Sequence, residues 1–413
     1  MKISKIYYGW WIVVCGGIIT GFSTTMVNTL NSLYVIPITL EFGFTRSQYI
    51  MTSTLTAVAA IFGAAIIGRM MTNKNMKKIQ VFLLVTMTMA YMSFSISTKL
   101  WQFYIASIVI GFIFMSIAMI PVSVMIANWF DSKQGLAMSL VLAGIGIGGT
   151  ILSPITSSLI LEFGWRIARI YIAIAYLLIS LPIIVFVLKS SPEEVGLQPY
   201  KEESKDKGSL KRNAFKEYPT VEAAKKTHYY VLFIFGVIAS GVICNGGMQH
   251  MGPFVTDNHS SIIASYIISV YSFSAVFGKL LLGYLYDKFG NTKSLLFGGG
   301  MFAGAYVLMA FFPKNLILIV LAAIMFGVGN SLGSVSINLV TFSIFGKKNY
   351  STMLSLAKSL QQIGMASGPI IVSLLFEKFN GYTVPFAASI IISILLMFSW
   401  IKSYNDAKKT IGA

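Results

Sequence analysis

Residues 283–293 read Gly-Tyr-Leu-Tyr-Asp-Lys-Phe-Gly-Asn-Thr-Lys, a short polar segment between two long apolar runs. A shift of 215 positions places this segment on residues 68–78, which read Gly-Arg-Met-Met-Thr-Asn-Lys-Asn-Met-Lys-Lys. The first and last residues of the two segments are identical, and the same shift gives six further identities: Lys99 with Lys314, Phe130 with Phe345, Lys133 with Lys348, Met138 with Met353, Pro154 with Pro369 and Glu162 with Glu377. These identities at one offset indicate two parallel repeats of six helices each.

The composition is that of a membrane protein. Hydrophobic residues make up 56% of the 413 and charged residues only 11%, with a mean hydropathy of +0.76, whereas soluble domains average about 25% charged residues. This excludes an ordinary soluble enzyme. Since a spanning helix needs ~20 mostly apolar residues, we predict an all-α integral membrane protein with twelve transmembrane helices in two pseudo-symmetric six-helix bundles. The predicted spans lie near 7–36, 48–68, 79–98, 101–128, 133–161, 164–188, 229–253, 261–284, 294–312, 315–345, 350–376 and 382–401.

The net charge of +17 comes from basic residues in the gaps between spans rather than from a patch suited to nucleic acid. If the N-terminus is cytoplasmic, the outer side holds only Arg46, Lys99, Arg166, Lys314 and Lys378. Because inner loops are enriched in Lys and Arg, we predict a multi-pass protein of the cell membrane with both termini cytoplasmic. The charged segment 189–228 is predicted to be a cytoplasmic linker between an N-terminal bundle, 1–188, and a C-terminal bundle, 229–413.

Several segments resemble a known family. Residues 283–293 resemble the inner-loop signature of the major facilitator superfamily, and residues 68–78 are a degraded copy in which Thr72 stands in place of the acid. Four further segments are similar to the oxalate–formate exchanger and monocarboxylate carrier branch, and they are 8–11, 129–138, 191–197 and 345–350. The resemblance implies secondary transport of small carboxylates by alternating access. We expect Asp287, Lys288 and Lys293 to take part in the inner gate.

Two lysines lie within predicted spans, whereas all fourteen acidic residues lie outside the spans or at their edges. Lys279 in span eight and Lys358 in span eleven are each eight residues from an inner-loop landmark, or ~12 Å along a helix, so they are expected at similar depth. The first repeat has Ala64 and Ala143 at the equivalent positions. An ammonium at the bilayer centre costs ~2.5–3.5 kcal/mol on insertion scales. We therefore expect an anion from solution to pair with the lysines.

Polar side chains recur at helical spacing in four spans and predict a shared aqueous cavity between the two halves. The four stripes are Thr24, Asn28 and Asn31; Asn245 and Gln249; Asn330, Ser334 and Asn338; and Ser351, Ser355, Lys358 and Gln362. The predicted substrate-binding residues are Lys279, Lys358, Asn28, Asn31, Gln362, Asn330 and Asn245. One alternative is that Lys279 only extends its ammonium to the inner headgroups. Another is that the asparagine and serine stripes form interhelical hydrogen bonds.

The resemblance bears on three of these residues individually. Lys358 resembles the essential span-eleven lysine of oxalate–formate exchangers. The family more often has arginine at the position of Lys279, and arginine grips a carboxylate with two hydrogen bonds where lysine offers a point charge. Asn28 stands where animal monocarboxylate carriers have a lysine.

Three other features have simple interpretations. His250, near the outer end of span seven, is either a proton site or a packing histidine. Arg166 and Arg169, near Glu162, are interpreted as a charge cluster on the outer surface. Residues 144–149, Gly-Ile-Gly-Ile-Gly-Gly, match a dinucleotide-binding pattern but lie inside an apolar span without a preceding strand, so we interpret them as close helix packing.

The predicted function is secondary active transport of mono- or dicarboxylates, as anion exchange or proton symport. No P-loop, HExxH or catalytic triad pattern occurs, so we expect a non-enzyme without a cofactor. The two cysteines lie inside apolar runs, so we expect free buried thiols and no metal site. We also expect a monomer without a nucleic-acid partner. One alternative is an exporter of amphipathic drugs, which the aromatic content favours. The other is a non-transporting membrane sensor, which would predict a signalling domain or a longer tail than the one after Lys402.

Overall fold

The computed structural model describes residues 7–70, 75–117, 119–201 and 226–411. Within these ranges every regular element is helical, apart from one isolated bridge between Phe130 and Tyr200. The α-helices are Tyr8–Thr24, Asn31–Phe42, Arg46–Met70, Met76–Ser93, Leu100–Ile117, Met119–Trp129, Gln134–Pro182, His228–Asn258, Ser261–Phe311, Leu316–Asn330, Val335–Phe379 and Thr383–Ile411. Short π- or 3-10-helical segments lie at Thr25–Thr29, Phe94–Ile96, Ile183–Val187, Pro192–Val195 and Ser331–Gly333. The prediction of an all-α protein is confirmed.

Three of the long helices contain a sharp turn at a glycine. The turns lie at Gly164 (φ 81°), Gly290 (φ 77°) and Gly346 (φ 68°), and glycine adopts this left-handed region without steric cost. Each turn separates two of the predicted spans. The connections between spans five and six, eight and nine, and ten and eleven are therefore tighter than the sequence predicts.

Nine helical runs of the described residues are long and apolar enough to cross a membrane, and Leu136–Val187 and Ser261–Phe311 are 52 and 51 residues long. Divided at their glycine turns, and with the less apolar helix Arg46–Met70 added, these runs give the twelve predicted spans. Span one continues to Phe42, past its predicted end near Pro37. A membrane helix tolerates an internal proline because neighbouring groups satisfy the backbone carbonyl that loses its N–H partner. The spans, numbered one to twelve, are 8–42, 46–70, 76–96, 100–129, 134–163, 165–187, 228–258, 261–289, 291–311, 316–345, 347–379 and 383–411.

The chain divides into two compact units, Met1–Lys207 (unit 1) and Gly208–Ala413 (unit 2). In unit 1, span one packs against span five and span two against span four. In unit 2, span seven packs against span eleven and span eight against span ten. The same pairs of helices thus meet inside each unit, which agrees with two parallel repeats.

Glycines bring the helix backbones close together at these crossings. Gly63 in span two lies against the carbonyl of Phe112 in span four, and Gly278 in span eight lies against the Cα of Val328 in span ten. Gly63 and Gly278 are related by the 215-residue shift. The repeat therefore extends to the residues that set the distance between the second and fourth helices of each unit.

The glycine-rich segment at residues 144–149 has the same role at the crossing of spans one and five. A Cβ on Gly144 would meet the carbonyl oxygen of Gly17, and a Cβ on Gly148 would meet the carbonyl oxygen of Gly21. The interpretation of this segment as close helix packing is confirmed.

Replacing Gly278 by leucine is expected to destabilise unit 2. Overpacking a close contact costs about 1–3 kcal/mol, so the melting temperature of the purified protein in detergent should fall by roughly 3–10 °C. Gly300 is the matched control, because it lies on the same long helix, is exposed and has no heavy atom within 4 Å of an added Cβ. Gly300→Leu should have the melting temperature of the wild type. Equal melting temperatures of the two variants would contradict the close crossing.

The first residues of the predicted linker pack on unit 1. The indole Nε1 of Trp129 donates to the carbonyl oxygen of Lys189 at 2.8 Å, and the carbonyl oxygen of Tyr200 accepts from the amide of Asp131 at 3.1 Å. Residues 202–225 of the predicted linker lie outside the described residues, as do residues 71–74 of the degraded motif copy. The predicted bounds of the bundles and linker stay predictions.

Candidate functional site

Span ten is interrupted near its middle. The α-helix Leu316–Asn330 gives way to a 3-10 turn at Ser331–Gly333 before the helix resumes at Val335. The carbonyl oxygen of Gly333 accepts a hydrogen bond from the side-chain amide Nε2 of Gln361 in span eleven at 2.7 Å. Irregular backbone at membrane depth is tolerated where protein groups or a water-filled cavity satisfy it. The interruption therefore marks a polar region inside unit 2.

Gln361 connects Lys358 to this interruption by hydrogen bonds. The Nζ of Lys358 is 3.4 Å from the Oε1 of Gln361, whose amide nitrogen is fixed by the carbonyl of Gly333. The donation to Gly333 sets the orientation of the amide and directs its oxygen towards the ammonium. Lys358 is half-buried, and its other N–H groups remain available to an acceptor from outside the protein.

Lys279 reaches the same region from span eight. The preceding residue, Gly278, packs against Val328 and against the hydroxyl of Ser331, the first residue of the turn. Lys279 is half-buried and lies near enough to Lys358 for the two positive charges to repel each other. Among the described residues, no carboxylate forms an ion pair with either lysine. Unit 2 thus brings together two like charges that the described part of the chain does not neutralise.

The other predicted substrate residues of unit 2 are placed differently. Asn330 is the last residue before the turn and is half-buried, as is Gln362. Asn245 is 4% exposed, and its Nδ2 donates to the carbonyl oxygen of Met365 across spans seven and eleven at 2.6 Å. For Asn245 the structure matches the interhelical alternative. The side chain of Ser351, part of the predicted stripe on span eleven, lies outside the described side chains.

Sequence reasoning missed two residues at this site. Gln361, not Gln362, contacts Lys358, and the i, i+3 spacing from Lys358 was the available signal. Cys244 packs against Gly333, the last residue of the 3-10 turn. Both cysteines are buried and free, as predicted.

Unit 1 corrects the interpretation of the two arginines as an outer-surface charge cluster for Arg169, whereas Arg166 forms a partly exposed ion pair. Arg169 is 1% exposed, and its Nη2 donates to the hydroxyl of Tyr49 at 2.7 Å. Arg166 pairs with Glu41 rather than with Glu162. The error arose because Arg169 lies only five residues after the turn at Gly164, close enough to the predicted span end to be assigned to the surface.

Asn28 and Asn31 lie near Arg169. Asn28 is part of the π-helical segment Thr25–Thr29, which interrupts span one, and π-helical turns often occur at functional sites. The Nδ2 of Asn31 donates to the Ser53 hydroxyl at 2.9 Å, and its Oδ1 accepts from Tyr49 at 3.1 Å. The role of both asparagines in binding substrate stays a prediction.

His250 on span seven is fully buried against span eleven and against Tyr382, which precedes span twelve. Its Nδ1 lies 3.1 Å from the hydroxyl of Tyr382, and its Nε2 lies 3.0 Å from the carbonyl oxygen of Pro369 and 3.1 Å from the hydroxyl of Ser373. Both ring nitrogens therefore have hydrogen-bond partners, which matches a packing histidine. A proton-site role stays a prediction.

The predicted gate residues lie around the turn at Gly290. Asp287, Lys288 and Lys293 are exposed, and the Nζ of Lys288 donates to the hydroxyl of Tyr284 at 3.0 Å. Exposure at the end of a span suits contact with other loops. Their gating role stays a prediction.

Unit 1 also contains an apolar cavity. Its volume is about 470 Å³, and it lies between spans one, five and six, with Trp10, Phe22, Ile147 and Ile151 among its lining residues. This volume falls in the range of small-molecule pockets.

Comparisons with known proteins place these features in a family. The model of the Major Facilitator Superfamily matches residues 13–261 and 251–412. The solved structure of the nucleoside transporter NupG superposes with a TM-score of 0.74 at 13% identity, covering 95% of this chain and 99% of that one. At this identity the similarity supports the fold alone.

Three relatives align over nearly the whole chain. The multi-drug resistance efflux pump PmrA homolog of Lactococcus lactis is 24% identical, covering 95% of this chain and 93% of the relative. The glycerol-3-phosphate transporter of Bacillus subtilis is 23% identical, covering 97% and 94%. Monocarboxylate transporter 12 of Homo sapiens is 22% identical, covering 95% and 80%. All three are named as transporters or pumps, but their cargoes differ.

Proposed function

Because the chain belongs to the Major Facilitator Superfamily, we propose that it is a secondary active transporter of small organic anions, mono- or dicarboxylates, working by alternating access. Membership of this family means that the protein is a multi-pass membrane carrier without enzymatic activity. The choice of an anionic cargo depends on one observation: Lys358 lies beside the interruption of span ten, Lys279 follows the glycine that packs on its first residue, and neither lysine forms an ion pair with a carboxylate among the described residues.

A carboxylate fits these two cations chemically. Its two oxygens offer about four lone-pair sites, and charge-assisted hydrogen bonds are roughly twice as strong as neutral ones. The ammonium of Lys358 is oriented by Gln361, so it is held ready for an incoming oxygen. The remaining binding energy comes from the half-buried amides of Asn330 and Gln362. Two relatives, the glycerol-3-phosphate and monocarboxylate transporters, are named for anions and support this class of cargo.

The energy source is anion exchange or proton symport. Exchange suits spans whose acidic residues all lie at their edges or beyond, because a proton relay through the membrane normally uses a carboxylate. Symport would use His250 or the carboxyl group of the substrate itself. We further propose that the protein is a monomer of the cell membrane, with both termini cytoplasmic, and that Asp287, Lys288 and Lys293 contribute to the inner gate.

A second candidate function is export of amphipathic molecules. The apolar cavity of about 470 Å³ in unit 1 would suit such a cargo, and the efflux pump homolog of Lactococcus lactis is among the relatives. Two lysines without a carboxylate partner among the described residues argue against a cationic amphiphile, because a like charge would be repelled.

Counterflow into proteoliposomes distinguishes the two candidates. Labelled oxalate, formate, lactate, pyruvate and larger acids are compared with an amphipathic cation such as ethidium, with and without a pH gradient. We expect at least one small acid to exchange faster than in protein-free liposomes, with no acceleration of ethidium. Movement of ethidium without movement of any acid would contradict the proposed function. The pH-gradient arm distinguishes exchange from proton symport.

A further inference from the structure

Unit 1 contains a buried cation that the carboxylate proposal does not use. Arg169 is 1% exposed, and its Nη2 donates to the Tyr49 hydroxyl at 2.7 Å and lies 3.5 Å from the Oδ1 of Asn31. The guanidinium carbon is 4.2 Å from the ring centres of Tyr34 and of Phe94. Spans one, two and three therefore hold this side chain of span six in one position.

None of these partners is an ordinary counter-ion. Arg169 forms no ion pair with a carboxylate within the described ranges, and its Nε has no hydrogen-bond partner there. Aromatic faces stabilise a guanidinium by about 0.5–2 kcal/mol each, which offsets only part of the cost of removing a full charge from water. Arg169 thus offers an anion both a positive charge and an unused donor.

A small polar cavity lies beside the guanidinium. It is lined by Arg169 and by polar residues of spans one and two, among them Asn28, Asn31, Thr52 and Ser53. The centre of a water molecule can occupy about 20 Å³ of this cavity, so the cavity has room for one or two water molecules. This space suits a monatomic anion and is too small for an acid with a carbon chain.

The lining also supplies a neutral donor. The hydroxyl of Ser53 accepts from the Nδ2 of Asn31 at 2.9 Å, so its own proton remains to be donated. A bound anion needs donors in addition to charge, because burial removes its hydration shell. Arg169 and Ser53 line the cavity together and meet both needs.

We propose that unit 1 binds a small monovalent inorganic anion, such as chloride, beside Arg169, Asn31 and Ser53. The anion neutralises the guanidinium and stabilises the packing of spans one, two, three and six. Asn28 and Asn31 then serve this anion rather than the carboxylate. The site uses no residue of unit 2, so this proposal can be tested independently of the role proposed for Lys279 and Lys358.

Thermal unfolding of the purified protein in detergent tests the proposal. Chloride is titrated against gluconate at fixed total sodium, and bromide is run in parallel. Ligand binding to the folded state raises stability by mass action, so we expect a saturable rise in melting temperature of about 2–5 °C with chloride. Bromide should act similarly, and gluconate should not because it is too large. Equal melting temperatures in chloride and gluconate would overturn the proposal.

Three variants locate the effect. Arg169→Gln should lose the chloride response. Ser53→Ala keeps the arginine and removes one donor, so its apparent chloride affinity should fall about 2- to 10-fold, and it serves if Arg169→Gln does not fold. Lys358→Ala should keep the full response. A response that survives Arg169→Gln, is unchanged in Ser53→Ala or disappears in Lys358→Ala would place the anion elsewhere and overturn the proposal.

Discussion

Lys358→Ala is expected to lower carboxylate counterflow by roughly 30-fold to several thousand-fold. Removing one partner of a desolvated, hydrogen-bonded charge pair costs about 2–5 kcal/mol, and each 1.4 kcal/mol corresponds to about a factor of ten. The loss should be seen as reduced kcat/KM in proteoliposomes for every acid that the wild type transports. Lys358→Arg keeps the charge and should retain part of the activity.

Lys378→Ala is the matched control for this substitution. Lys378 lies on the same span, has the same side chain and is exposed near the end of the helix. Its variant should transport like the wild type. If Lys358→Ala and Lys378→Ala are equally active, the ammonium at the span-ten interruption does not bind the cargo.

Lys279→Glu is expected to abolish carboxylate counterflow, with a loss of at least about 100-fold, because it replaces an attraction by a repulsion that costs several kcal/mol. The introduced carboxylate would lie where the charges of residues 279 and 358 interact. It should pair with Lys358 in the manner proposed for the substrate. The variant should therefore fold, and its melting temperature should be no lower than that of Lys279→Ala.

Lys314→Glu makes the same charge reversal at an exposed residue between spans nine and ten. It should retain wild-type counterflow and thereby exclude a general effect of net charge. Two results would contradict the account: transport by Lys279→Glu at the wild-type rate, or unfolding of Lys279→Glu well below Lys279→Ala. The second would show that residue 279 does not lie close enough to Lys358 to form the pair.

The fold was largely predictable because membrane burial imposes a strong pattern. Apolar runs of spanning length located the twelve helices, and the 215-residue shift located the repeat that the pairing of Gly63 and Gly278 supports. The exact ends were less predictable. Pro37 is accommodated inside span one, and single glycines such as Gly164 and Gly290 replace the expected loops.

The candidate site was predictable only in part, because a sequence shows which residues share a helical face but not what faces them. The two lysines were recognised from their rarity inside spans. Gln361 was missed because no proline marks the break in span ten in the sequence. This break brings the Gly333 carbonyl to Gln361. Arg169 was misassigned because its partners Tyr49 and Phe94 belong to other spans, far away in sequence.

Competition between an acid and its uncharged amide tests whether the protein recognises the negative charge of its cargo. With wild-type proteoliposomes, an acid found active by counterflow, for example labelled lactate, is measured in the presence of unlabelled lactate or unlabelled lactamide. The two competitors have nearly the same shape and differ in the negative charge that Lys279 and Lys358 would bind. We expect lactate to inhibit uptake and lactamide at the same concentration to leave uptake unchanged. Equal inhibition by both would contradict the proposal of an anionic cargo.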